Sequence, residues 1–297
     1  MSAIGLGAGL TLRQRHGARF DFTGPALPPG VLLKRASAAT CFDGQGALVT
    51  CPADAARFDR DPVSRAPLGL LVEGAATNLL GSPAAFDTAT WEKAGTGTTP
   101  PAVTAQVGIA PDGSLSTEQI ALGAVSAAGA FSVVAQGFAA AAGPYSFSIW
   151  LRGASGGEKL FLMATPDGAA FQSRAVTLST QLSRYSLSFT ADARTWFVQF
   201  GVDRRNPSQG AAAAAQLQAW GAQLEAGGTA TSYAPVPRAA DAVTLDWASR
   251  GVADGPVVVR YTFDDGSGED RATTVSGGRA AVPLTLSRPR LIRAALA

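Results

Sequence analysis

The chain has 297 residues, a formal net charge of +2, 15% charged residues and 46% hydrophobic ones. That length accommodates one large or two to three small domains with a sizeable core. So balanced a charge argues against a nucleic-acid binder, which needs a basic face, and no stretch approaches the ~20 apolar residues of a membrane helix, so membrane insertion is not expected. Charged residues fall below the typical ~25%, and Ala, Gly, Ser and Thr fill the difference, as suits short strands and tight turns. The opening Met1-Ser2-Ala3-Ile4-Gly5-Leu6 lacks the charged leader of a signal peptide, which predicts synthesis in a cytoplasm without a secretion pathway.

Residues 1–34 show no sustained period. Arg13, Arg15, His16 and Arg19 cluster there, and Pro25, Pro28 and Pro29 break the chain, so the segment reads either as an extended docking arm or as a loosely packed leader. His16 is the only histidine, with no Ser, Cys or acidic partner at a telling spacing. Residues 35–81 read as a β-hairpin and connector. Short β pieces at 31–33 and 47–49 surround the turn Asp43-Gly44-Gln45-Gly46. Cys41 and Cys51 flank that turn, and a hairpin brings them near one another without setting them directly opposite. Bonded and free states both stay open, although cytoplasmic synthesis favours free thiols. Two Cys and one His cannot make a closed structural zinc site.

Next come Arg57-Phe58-Asp59-Arg60-Asp61-Pro62 and Gly69-Leu70-Leu71-Val72-Glu73-Gly74-Ala75-Ala76-Thr77-Asn78-Leu79-Leu80. This stretch sets an apolar strand among paired charges and ends in a turn-prone Thr-Asn. Over 82–236, Phe86 and Trp91 occupy a polar loop that caps a sandwich. Strand signals follow at 102–106, 118–122, 131–135, 145–151, 160–164, 173–178, 185–190, 196–202 and 216–224, with turns such as Pro111-Asp112-Gly113 and Pro166-Asp167-Gly168 between them. Many short strands without a helical period predict an all-β fold, an antiparallel β-sandwich of jelly-roll type.

Three strands alternate cleanly. Tyr145, Phe147, Ile149 and Leu151 take one face against Ser146, Ser148, Trp150 and Arg152. Tyr185, Leu187 and Phe189 oppose Ser186 and Ser188, while Trp196, Val198, Phe200 and Val202 oppose Phe197, Gln199 and Gly201. The first set of each should build the core, and the second should form a half-exposed polar face. Sugars offer C–H faces that stack on rings and hydroxyls that pair with amides. Trp150, Ser146, Ser148, Arg152, Gln199, Gln216, Gln218 and Trp220 therefore make a candidate glycan-binding set; the alternatives are a merely solvated face or one covered by a neighbouring subunit. Trp196 and Tyr185 read as core, Trp91 as a loop anchor and Trp247 as buried against the last unit.

From Pro235 a Pro-x-Pro marks a boundary, and 237–297 read as a small C-terminal β unit, with strands near 257–263, 273–275, 284–286 and 291–292. Alone it is too small for a good core. Asp264-Asp265-Gly266-Ser267-Gly268-Glu269-Asp270 carries oxygen ligands suited to Ca²⁺ but misses the EF-hand spacing, and an acidic hairpin turn is the better reading. No phosphate loop or dinucleotide fingerprint is present, so no catalytic residue, cofactor or metal is assigned and an enzyme is not expected.

The 57–80 stretch resembles the joint of phage fibre and spike proteins, which precedes a domain similar to carbohydrate-binding jelly rolls. A second match, Gln218-Ala219-Trp220-Gly221-Ala222-Gln223-Leu224-Glu225-Ala226-Gly227 with Ala230-Thr231-Ser232-Tyr233-Ala234-Pro235, is similar to the close of that domain. The chain departs from the commoner pattern at Ala76, where such proteins carry Arg, which puts that residue's pairing in doubt. The resemblance, over about 35–240, implies a head spike or tail fibre of a phage or phage-like particle such as a gene transfer agent. It implies a virion location after synthesis in a bacterial cytoplasm, contact with capsid or tail proteins through the N-terminal arm, and attachment to host capsular or surface polysaccharide. It also implies a homo-oligomer, a trimer first and a pentamer as the alternative. A purely structural adaptor and a polysaccharide depolymerase are the other readings.

Overall fold

The computed structural model describes residues 17–205 and 210–297. Strands β1 (Arg19–Asp21), β2 (Val31–Lys34), β3 (Ala39–Phe42), β4 (Leu48–Cys51), β5 (Phe58–Arg60) and β6 (Pro67–Leu71) come first. Ten more follow: β7 (Glu92–Thr96), β8 (Ala102–Ile109), β9 (Leu115–Leu122), β10 (Phe131–Ala139), β11 (Gly143–Gly153), β12 (Lys159–Thr165), β13 (Gln172–Thr177), β14 (Ser183–Ala191), β15 (Thr195–Asp203) and β16 (Ala215–Ala226). The chain closes with β17 (Ala242–Asp246), β18 (Gly255–Phe263), β19 (Gly268–Val275), β20 (Arg279–Ala281) and β21 (Arg290–Leu296).

β7–β16 form an antiparallel sandwich of two five-stranded sheets, ordered β13-β12-β15-β10-β7 and β14-β11-β16-β9-β8. The core between them is the alternating set expected from the sequence. Phe147, Ile149 and Leu151 meet Val198, Phe200 and Val202, joined by Leu187, Phe189, Leu217 and Leu224. Each such side chain is worth about 1.5–3 kcal/mol on burial, and a slip of one residue would turn every one of them outward. Trp91, anchored by its Nε1–H on the Ser82 carbonyl (3.0 Å), and Phe86 plug one end against Phe200.

The remaining strands correct the expected division of the chain. The described part of the N-terminal segment is not a free arm: β1 pairs with β21, β2 pairs with β17, and Phe20 and Phe22 are fully buried. His16 and the other residues of 1–16 lie outside the described residues. Nor do residues 237–297 fold as a unit of their own. One six-stranded sheet runs β19-β18-β21-β6-β5 with β1 beside β21, and a three-stranded sheet runs β2-β17-β20. Leu33, Leu70, Leu245, Val259, Tyr261 and Leu291 fill the core between these sheets, where Trp247 meets Phe20 edge-on at 5.1 Å. The physical reason is the one that made an isolated C-terminal unit doubtful: so small a unit of strands buries too little apolar surface alone. The described segments on either side of the sandwich therefore build one base, and the sandwich is inserted between its halves. Residues 284–286, expected as a strand, are a turn with Leu284 exposed. The acidic turn 264–268 joins β18 to β19, with Asp264 and Asp265 facing Arg288 at 3.1 Å each.

Candidate functional site

Base and sandwich meet at the 57–80 stretch, and the meeting is ionic. Arg57 donates to Glu73 (2.8 Å) and to Asp241 (2.6 Å), and Arg35 reaches the other Asp241 oxygen at 3.0 Å, with all four side chains withdrawn from water. Ser232 donates to Glu73 from its backbone N–H and its hydroxyl. Ala76 exchanges backbone hydrogen bonds with Arg238, whose guanidinium lies 3.0 Å from Glu73; Glu73 thus has a second arginine although position 76 carries none. Burial alone would raise the Glu73 carboxyl, but Arg238, Arg57 and the Ser232 hydrogen bonds outweigh it and hold the group below its ordinary range. Asn78 extends the joint into the sandwich, donating to the Ala222 carbonyl and accepting from the N–H groups of Leu224 and Leu80.

The outer face of β14-β11-β16 carries the polar set. Trp150 stands opposite Trp220, Arg152 opposite Gln218, and Ser148 opposite Gln223, with a bulge between the Ser148 and Trp150 pairs whose extra residue lies on β16. Gly221 supplies that bulge at φ +63°, and a Cβ there would lie 2.9 Å from the Trp150 ring. The extra residue reverses the phase of β16, so that Gln216, Gln218 and Trp220 share a face with Gln223 and Glu225.

This face is not half-exposed as expected. Residues 228–234 run across it, held by Glu225 accepting from Thr231, Gln223 accepting from the Ala234 N–H, and Ser188 donating to the Gly228 carbonyl. Ser146 and Ser148 lie beneath this strap and are fully buried; Trp150 and Trp220 retain 3% exposure each and pack on Tyr233. Leu48 of the β3–β4 hairpin and Ala110 complete the cover. Gln199 is on the other sheet, buried, donating to Asp203. Of the eight expected site residues, then, Arg152, Gln216 and Gln218 are the ones left within reach of solvent, grouped around a groove of about 250 Å³. Small hydroxyls beneath and two indoles opposite one another suit a covered layer, since a solvated face would leave that apolar area in water.

Beside the strap an open cleft of about 720 Å³ separates sandwich from base. Its walls are the β3–β4 hairpin, the β5–β6 loop with Val63 and Arg65, the β8–β9 turn, the 180–183 loop, the strap, and Pro289-Arg290. Trp150, Arg152 and Arg184 form its sandwich side. Arg184, missed by the sequence reading, lies over the Trp150 ring at 4.4 Å and donates to the Thr231 carbonyl and the Ser148 hydroxyl. Burial pulls its guanidinium down to about 10, which leaves it charged at neutral pH.

Two carboxylates line the cleft and both are taken: Asp59 pairs with Arg290 at 2.7 Å, and Glu73 belongs to the joint. A glycosidase acid needs a carboxyl held above its ordinary range, and Glu73 is shifted the other way. In the hairpin wall, Cys41 and Cys51 sit diagonally, Cys41 opposite Val49 and Cys51 opposite Ala39, as free thiols with sulfurs 3.1 Å apart.

No family model and no curated protein matches the chain. Among solved structures, the module TmCBM61 in complex with β-1,4-galactotriose is 14% identical, covering 51% of this chain and 99% of that one with a TM-score of 0.35. A family 11 carbohydrate-binding module from Clostridium thermocellum, in complex with a β-1,3-1,4-mixed-linked tetrasaccharide, is 6% identical over 53% and 99%, TM-score 0.35. The enzymatically active domain of bacteriophage CBA120 tailspike protein 4 is 9% identical over 50% of this chain and 21% of that one, TM-score 0.33. At these scores the likenesses carry no argument about function, and the fold rests on the sheets themselves.

Proposed function

We propose that this chain is a spike or fibre component of a phage or phage-like particle and attaches it to host surface polysaccharide. The observation that carries this reading is the cleft. Thr180, Gln181, Ser183 and Thr231 offer hydroxyls and amides beside the apolar surfaces of Val63, Ile109 and Leu182, a mixture suited to sugar hydroxyls and C–H faces. The resemblance of the joint to phage fibre and spike proteins supports the virion setting. In this reading the base fixes the sandwich on the particle, residues 1–16 contact capsid or tail proteins, and oligomerisation raises weak glycan binding by avidity.

The test is affinity electrophoresis in gels containing purified host surface polysaccharide. The protein should be retarded, and Gln181→Trp, which fills the cleft from its rim, should restore free migration. Retardation equal in both proteins removes the cleft from the reading, and free migration of both favours the structural adaptor. Release of new reducing ends from the polysaccharide would instead establish the depolymerase.

A further inference from the structure

Resting on that attachment reading, we propose that the cleft selects acidic polysaccharide, its arginines receiving the carboxylates of uronic-acid-type sugars. Four arginines line it, Arg65, Arg152, Arg184 and Arg290, against two carboxylates, Asp59 and Glu73. Asp59 is consumed by Arg290, and Glu73 by arginines outside the cleft. Arg65, Arg152 and Arg184 therefore stand in no ion pair among the described residues, and the wall carries a surplus of positive charge.

Three features make this surplus a receptor for an anion. Arg184 is fixed by two hydrogen bonds and by its stacking on Trp150, while its Nε–H is withdrawn from water with no acceptor. A buried donor left unmade is unfavourable, and a nearby negative charge offsets the burial of the guanidinium. Arg152 is oriented by two hydrogen bonds to the Gln218 amide oxygen, a neutral partner that aims the fork without neutralising it. Arg65 lies on the opposite wall, in the loop of the base, so a sugar chain in the cleft runs between guanidiniums of both bodies. Planar guanidinium forks match carboxylates in bidentate geometry. A neutral sugar would dehydrate the same groups without a counter-charge.

The experiment is affinity electrophoresis of the full chain in gels containing polygalacturonate, neutral dextran or dextran sulfate at constant ionic strength, beside the host polysaccharide. The expected result is retardation by polygalacturonate about tenfold stronger than by dextran, and a loss of about tenfold for Arg65→Ala and for Arg152→Ala. Arg152→Lys, which keeps the charge and removes the fork, should recover only part of the loss. Arg65 is on an exposed loop, so that variant stays readable if changes at Arg152 disturb folding. Equal binding of dextran and polygalacturonate overturns the acid selectivity and leaves the attachment reading standing. Binding of polygalacturonate and dextran sulfate alike, unchanged in both arginine variants, overturns the site. Binding to the host polysaccharide with none to polygalacturonate overturns the carboxylate assignment, and binding to none of the four ends the attachment reading itself.

Discussion

Arg57 and Asp241 are 184 positions apart in sequence, yet they meet at 2.6 Å with both side chains wholly out of water. One end of this contact begins the joint into the sandwich and the other leaves it, so the pair clamps the two crossings together. Asp241 also holds Arg35 and the Glu73 N–H. Asp241→Asn should therefore leave two guanidiniums undercompensated and cost about 3–5 kcal/mol. Urea denaturation should show the base melting first, read by the loss of Trp247 fluorescence shielding.

The same cluster makes the joint acid-sensitive. Because the folded Glu73 carboxyl lies below its ordinary value, the unfolded chain binds the proton more readily. Its contribution is thus fully present above about pH 4.3 and is lost as pH falls below it. The midpoint of thermal unfolding should drop between neutral and acid pH, and Glu73→Gln should flatten that decline while lowering the neutral value.

Gly221→Ala should act at a distance from the chain's charge. The new methyl meets Trp150 at 2.9 Å in a left-handed backbone position, costing about 1–3 kcal/mol. Arg184 rides on the same ring, so polysaccharide retardation should weaken along with stability. Unchanged near-ultraviolet dichroism in this variant would contradict the packing described.

Cys51 should be the reactive thiol. A hydrogen bond from Cys41 lowers it to about 7, with Arg35 and Arg57 assisting against burial, while the same coupling pushes Cys41 up. Alkylation by iodoacetamide should modify one equivalent with a rate half-maximal near pH 7. In Cys41→Ala the midpoint should move toward the ordinary value of about 8.5.

Period-two strands made the sandwich legible, because Phe147, Ile149, Phe200 and Leu224 each declare a face. The bulge at Gly221 was not read from the sequence, although a glycine inside a strand is a local signal for one. What could not be read was what lies on top. Alternation puts Trp150 and Ser148 on the outer face but says nothing of residues 228–234 crossing it, because the path of the chain after β16 is set by the hydrogen bonds it makes to Glu225, Gln223 and Arg184. The joint was visible as a pattern, but its partners at 232, 238 and 241 are separated from it by the whole sandwich. Arg184 went unnoticed because a single arginine at the start of a strand reads as a solvated end; the signal available was its register position opposite Trp150.

The central place of β21 in the base sheet has a consequence for synthesis. This strand, made last among those described, lies between β6 and β18 and also carries β1. While the ribosome adds residues 72–289, β1 and β6 have no partner strand on that side, and Phe20, Phe22 and Leu70 wait without their core. The sandwich, whose contacts lie within 92–226, is free to fold first. An interrupted chain would then carry a finished sandwich without a folded base, so completion of the base waits for translation through residue 296.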